Sequence, residues 1–361
     1  MNITQEATGD LTATVKIEVT KEDYQDQVNK VLKDYQKNAN MSGFRPGKVP
    51  MGMIKKMYGR AVLAEEINKI ISENLNNYLT ENEIKTLGHP LPNEDKQKQI
   101  DFDTQDTLEF FFDIALQPEI NIEINDKIKV NYHKIKVDDK SIDKYIEDLR
   151  MKNGKAVETE EGKDGEAKIE PAELNEEFYS AVFPGQDIKD EATFREKLAE
   201  QLELSFGHES DRLFMRHVAD KLIDTSGLEL PDEFMKRWLA ESGEAQVKAE
   251  DIESHYGEYA RALKWQLIES KIVKDHDIQV TPDDVREQIM SYFQTPGEVD
   301  EETRKRLNEI ADSIMQNQEE VKRIYDQLLD NRMRDLLKST VKLRNKEVSY
   351  DDFIKLATET K

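Results

Sequence analysis

Between Tyr35 and Ala64 the chain carries no Asp or Glu, yet it holds Lys37, Arg45, Lys48, Lys55, Lys56 and Arg60. The rest of the sequence makes that window unusual, because 76 acidic residues against 52 basic ones leave a formal charge of −24. The chemistry open to such a cluster is electrostatic: Arg presents a planar fork of donors and Lys a compact mobile charge, both suited to phosphate or carboxylate oxygens. A chain this acidic is repelled by polyanions over most of its surface, so one cationic tip fixes where it docks on one. At the centre of the window stand Gly43, Phe44, Arg45, Pro46, Gly47, Lys48, Val49 and Pro50. Their Gly and Pro residues break both helix and strand, and Pro46-Gly47 suits the middle of a tight turn. Phe44 is then displayed on a loop, with Arg45 and Lys48 on either side of the turn. The plain alternative is a solvated basic loop with Phe44 tucked beneath it.

Other chemistry finds little support. His89, His133, His208, His217, His255 and His276 show no metal-ligand spacing and read as surface residues, and the absence of Cys removes thiolate ligands and disulfides. There is no phosphate-binding loop or dinucleotide fingerprint, since Gly52 and Gly59 are isolated glycines in a helix-prone stretch. Acid pairs such as Asp283-Asp284 and Asp351-Asp352 fall at helix starts, where the macrodipole accounts for them. No catalytic residue, metal or cofactor is expected.

Residues 43–50 resemble the Gly-Phe-Arg-x-Gly-Lys-x-Pro signature of the ribosome-binding loop of trigger factor, the bacterial chaperone of nascent chains, at every fixed position. The resemblance extends more weakly along most of the chain. It implies that Gly43, Phe44, Arg45, Pro46, Gly47, Lys48 and Pro50 form a ribosome-binding site, with Lys55, Lys56 and Arg60 as secondary basic contacts. It also implies ribosomal protein and RNA at the exit-tunnel rim as partners, unfolded or nascent polypeptides as clients, and a homodimer off the ribosome.

The elements around the loop follow from periodicity. Leu11, Ala13, Val15, Ile17 and Val19 alternate with polar residues as in a half-buried strand. Thr20 caps a helix, with Asp23 three residues on, and Tyr24, Val28, Val31, Leu32 and Tyr35 form its apolar stripe. Leu63, Ile67, Ile70, Ile71, Leu75, Tyr78 and Leu79 mark a second helix after the loop, and Leu108, Phe110, Phe112, Ile114 and Leu116 alternate again as a strand. The result is an α+β unit over residues 1–117 with a protruding helix-loop-helix. Residues 118–153 read as a connector strand and a short helix bearing Ile142, Tyr145, Ile146 and Leu149, packed with the C-terminal domain.

Residues 154–171 are a polar linker, and residues 172–361 are almost all helical. Phe194, Leu198 and Leu202 begin one helix, Leu230-Pro231-Asp232 and Thr281-Pro282-Asp283 start others, and Ala260 to Ile272 and Ile324 to Leu329 carry apolar arcs. Hydrophobic residues at 37% and charged residues at 35% suit thin, extended helical arms with much solvated surface better than a compact enzyme, and the resemblance implies that residues 172–361 are an elongated, mostly helical chaperone domain with arms. Candidate client-facing side chains are Met235, Met290 and Met315, flexible thioethers for which core filling is the commoner role, and Trp238, Tyr292 and Phe293, aromatics beside charged neighbours near helix ends.

The linker is the departure from the family, whose members usually insert an FKBP-type prolyl isomerase domain there. The stretch from Gly154 to Pro171 is far shorter than the ~50 residues of even a small domain. The expectation is therefore a multi-domain α+β protein that is not an enzyme, without membrane contact. Its start, Met1-Asn2-Ile3-Thr4-Gln5-Glu6, lacks a basic and apolar leader, which points to the cytoplasm. The competing readings are a ribosome- or RNA-associated adaptor without chaperone activity and a degenerate prolyl isomerase.

Overall fold

The computed structural model describes all residues except 99, 103–104, 158–167, 243–248, 294–299 and 360–361. The N-terminal elements are β1 (Asn2–Gly9), β2 (Thr12–Thr20), α1 (Lys21–Asn38), α2 (Met51–Glu81), β3 (Leu91–Pro92) and β4 (Thr107–Ala115). Next come β5 (Lys129–Ile135), α3 (Asp139–Lys152), β6 (Lys155–Val157), β7 (Lys168–Glu170), α4 (Glu176–Val182) and α5 (Glu191–Ser226). The chain continues through α6 (Asp232–Ser242), α7 (Ala249–Asp275), α8 (Pro282–Phe293), α9 (Glu301–Met315), α10 (Gln318–Thr340), β8 (Lys342–Val348) and α11 (Tyr350–Glu359).

Two compact units emerge, and they divide the chain differently from the sequence-drawn domains. One contains residues 1–120 and 227–266, the other residues 121–226 and 267–361.

In the first unit an antiparallel sheet runs in the order β1-β2-β4-β3. The alternation of β2 puts Ala13, Val15, Ile17 and Val19 on one fully buried face. Register then sets Ile114 opposite Ala13 and Leu108 opposite Val19, extending the same apolar face across β4. The two helices cover that face. Thr20 and Asp23 form a capping box at the start of α1, with the Asp23 carboxylate accepting from the Thr20 N–H and hydroxyl at 2.7 Å. Tyr24, Val28 and Leu32 of α1 and Ile54, Val62, Ile67, Ile71, Leu75 and Leu79 of α2 complete the core. Tyr35, the last residue of the expected stripe, is instead exposed and lies 5.3 Å from the Tyr58 ring on α2. β1 has no apolar alternation, and its mostly exposed, polar residues pair along one edge of β2.

Asp113 on β4 ties several elements of this unit together. Its carboxylate accepts from Thr14 Oγ1 at 2.8 Å, Asn93 Nδ2 at 2.7 Å and the Arg237 guanidinium of α6 at 2.9 Å. Lys236 reaches Glu253 at 2.8 Å, and the Tyr256 hydroxyl donates to Asp232 at 2.6 Å, linking α6 to α7.

In the second unit α5 carries a long buried row: Phe194, Leu198, Leu202, Phe206, Ser210, Phe214, Val218 and Leu222. The spacing of about four residues is that of one helix face. Phe194 is the hub of an aromatic group, with the Tyr179 ring stacked 4.7 Å away and Phe178 and Phe183 close by. Ile135, Ile142 and Ile146 of the connector join the same core. β5 pairs in parallel with β8, a strand inside the stretch read as helical. β8 lacks a buried apolar alternation to announce it. A smaller core joins α8, α9 and α10 through Val285, Ile289, Ala311 and Ile324.

Of the linker, β6 and β7 pair antiparallel as a short stem, and the central part of the linker, residues 158–167, lies outside the described residues. Contrary to the surface position expected for the histidines, His133 is buried, with its ring 5.6 Å from His217 of α5. A helical wheel of α5 alone could not show that β5 delivers the partner ring.

Candidate docking loop and client surfaces

Residues 39–50 bridge α1 and α2 through two successive turns. Phe44 N–H donates to the Met41 carbonyl at 3.0 Å, and Lys48 N–H to the Arg45 carbonyl at 2.9 Å. In the second turn Pro46 and Gly47 occupy the middle, and Gly47 has φ 74°, the left-handed value that the third position of a type II turn demands. A side chain there would also crowd the Lys37 carbonyl, because a Cβ would sit 3.0 Å from its oxygen. Gly47 N–H donates to the Ala39 carbonyl at 3.2 Å, closing the loop back onto the end of α1.

Burial anchors what the turns shape. Val49 is fully buried and its carbonyl accepts from Gln36 Nε2 at 2.7 Å, so the base of the loop is pinned to α1. Pro50 stands at the N-cap of α2, its carbonyl accepting from Met53 N–H at 2.9 Å. Between these anchors Phe44, Arg45, Pro46 and Lys48 are exposed, Phe44 at 38%. Phe44 is therefore displayed rather than tucked beneath the loop.

Lys55, Lys56 and Arg60 are exposed on the first turns of α2, while Ile54 just before them is fully buried. Among the described residues none of Arg45, Lys48, Lys55, Lys56 and Arg60 forms an ion pair. Lys37 differs from them: it bonds Asp34 at 2.8 Å, and that contact holds the Asp34 carboxyl below its usual range. The same surface exposes Met53 at 40% and Met57 at 54%, apolar side chains interleaved with the cations. Their i, i+4 spacing on α2 was the available signal for that added patch.

The structure sorts the candidate client residues. Met235 and Trp238 are core residues, exposed at 1% and 8%, because the apolar face of α6 packs inward. Met290 and Met315 are partly buried against the α8–α10 core. Tyr292 and Phe293 are each 49% exposed at the end of α8, with the Tyr292 hydroxyl donating to Gln327 at 3.1 Å. Sequence reasoning missed a groove of about 720 Å³ lined by Tyr132, Ile135, Val137, Leu204, Phe206 and Ser210. Leu204 is 70% exposed there, and Ser210 Oγ is buried with no hydrogen-bond partner among the described residues. The available signal was that Leu204 falls off the buried row of α5.

Among the described residues no group of three or more His, Cys, Asp or Glu is placed to hold a metal ion, and no helix is long and apolar enough to cross a membrane.

Comparison with known proteins agrees at both ends of the chain. The family model described as bacterial trigger factor protein matches residues 1–149, and that of the probable trigger factor C-terminal domain matches residues 210–357. The trigger factor of Hahella chejuensis is 23% identical over 450 aligned residues, covering 99% of this chain and 97% of the relative. That of Marinobacter nauticus is 22% identical, with 98% of each chain covered. A solved structure described as "Promiscuous Substrate Recognition in Folding and Assembly Activities of the Trigger Factor Chaperone" matches with a TM-score of 0.52 at 14% identity, covering 93% of this chain and 99% of the other. The fold, the loop that matches the signature and the family models at both ends converge: this chain belongs to the trigger factor family, in a form whose polar stretch from Gly154 to Pro171 leaves no room for an isomerase domain.

Proposed function

We propose that this chain is an ATP-independent chaperone that docks at the ribosomal exit tunnel through the loop Gly43 to Pro50 and shields apolar segments of nascent chains. The observation that carries the reading is the loop itself. A motif matched at every fixed position presents Phe44, Arg45 and Lys48 outward from a base pinned by Val49, on a chain whose net charge of −24 opposes polyanion contact elsewhere. Phe44 supplies an apolar anchor for ribosomal protein, while Arg45, Lys48, Lys55, Lys56 and Arg60 suit RNA phosphates. Work in the cytoplasm, action without prolyl isomerase activity and self-association off the ribosome complete the proposal, the last on family resemblance alone.

Clients meet the second unit, where Tyr292, Phe293 and Leu204 expose apolar surface. Acidic surroundings keep affinity modest and release spontaneous. The test dilutes a denatured, aggregation-prone protein into buffer with this chain and no nucleotide and follows light scattering. Suppression near stoichiometric ratio is expected; none at several-fold excess overturns the chaperone reading and leaves a ribosome-associated adaptor.

A further inference from the structure

The outer edge of β8 is an open row of backbone groups. In the β5–β8 ladder, Lys342 N–H donates to the Ile128 carbonyl at 2.9 Å and Lys136 N–H to the Val348 carbonyl at 3.0 Å. The parallel register therefore assigns Lys342, Arg344, Lys346 and Val348 to the rungs with β5. Alternation turns the N–H and C=O groups of Leu343, Asn345 and Glu347 the other way. Among the described residues no backbone group takes them up, and the sheet has no third strand. The far edge of β5 differs, because the Asn131 carbonyl there is hydrogen-bonded by the His217 imidazole of α5.

Charge singles out the occupant. Lys342, Arg344 and Lys346 are exposed, and so is Lys129, which sits opposite Lys342. Among the described residues none of the four forms an ion pair. A row of cations on an open edge repels a second copy of itself, which is how natural sheets avoid edge-to-edge pairing. The same row attracts a strand of opposite charge.

We propose that the outer edge of β8 takes an extended, acidic segment of an unfolded polypeptide as a third strand. Main-chain hydrogen bonds to Leu343, Asn345 and Glu347 supply sequence-tolerant affinity, and Lys342, Arg344, Lys346 and Lys129 select for carboxylates. The proposal rests on the chaperone reading and adds a client class to it. Acidic segments are the ones that the rest of this acidic chain repels, so a cationic edge widens the range of clients it can hold.

The experiment measures fluorescence anisotropy of a dye-labelled peptide alternating Glu and Val, titrated with the full chain at low and moderate salt. Binding that weakens with salt is expected, and the matching Lys-Val peptide should bind at least about tenfold less well. Combined Lys342→Glu, Arg344→Glu and Lys346→Glu should cost a similar factor. Asn345→Pro should also weaken binding, since it removes an outward N–H without touching a rung to β5. Should a variant fail to fold, backbone N-methylation of the Glu-Val peptide decides the matter with the protein unchanged.

Loss of binding on N-methylation supports strand addition. Equal binding of the methylated peptide, equal binding of the Lys-Val peptide, or no binding at all overturns it. The chaperone reading is scored separately by light scattering with the unaltered chain and a client free of acidic segments.

Discussion

The Trp238 indole donates its Nε1–H to His89 Nδ1 at 3.1 Å, with the two rings 5.4 Å apart. The bond seats α6 against the loop before β3, and it defines His89 Nδ1 as the acceptor nitrogen. Gly88 makes the approach possible: at φ 72° it presents no side chain, where a Cβ would lie 2.4 Å from the indole nitrogen.

Trp238→Ala should therefore behave as a core truncation. Loss of a large buried ring costs about 3 kcal/mol, read as a lower urea midpoint. Gly88→Ala should also destabilise, because both the backbone angle and the indole oppose a methyl group. Binding of a client peptide by the folded fraction should be unchanged in both, and a selective loss of client binding by Trp238→Ala at full stability would contradict the burial.

Replacement of Phe44, Arg45 and Lys48 together by Ala should abolish cosedimentation with ribosomes. Circular dichroism and melting temperature should stay close to those of the parent, as expected where side chains are exposed. Binding of the parent should fall as salt rises. Retained binding by the triple variant would move the contact to Lys55, Lys56 and Arg60.

His133 and His217 should make stability depend on pH below neutrality. Burial depresses both imidazoles, aided at His133 by His217 and Lys346 and opposed at His217 by the hydrogen bond to Asn131 and by Asp220. A histidine whose folded pKa lies below its unfolded value of about 6.5 binds more protons when unfolded. Its contribution is thus complete above that value and is lost as pH falls toward the folded pKa. Urea unfolding at pH 7.5 and 5.5 should show lower stability at the acid end, and His133→Gln should flatten that part of the profile. An unchanged slope in the variant would assign the dependence to other groups.

No catalysis of cis to trans conversion in a short Pro peptide is expected. The uncatalysed step takes tens of seconds, so even weak activity would register. A rate rising linearly with protein concentration and blocked by an FKBP-type inhibitor would overturn the expectation.

Much of the first unit was written in local pattern. The alternation of β2 and β4, the Thr20 and Asp23 capping box and the Pro46-Gly47 turn each depend on neighbours within a few residues, so sequence spacing reports them directly. The Gly43 to Pro50 loop belongs to the same class, because Gly47 requires its backbone angle whatever surrounds it, and exposure of Arg45 and Lys48 needs no partner. Tertiary structure decided the rest. β1 and β8 are mostly polar or charged and exist through pairing with β2 and β5, a relationship that no local periodicity encodes. Trp238 resembled a surface aromatic beside charged neighbours until α6 turned it toward His89, and Leu204 resembled one more helix leucine until the buried row of α5 left it outside. Burial is set by what a distant segment brings to a face, and that is the quantity a single sequence records least.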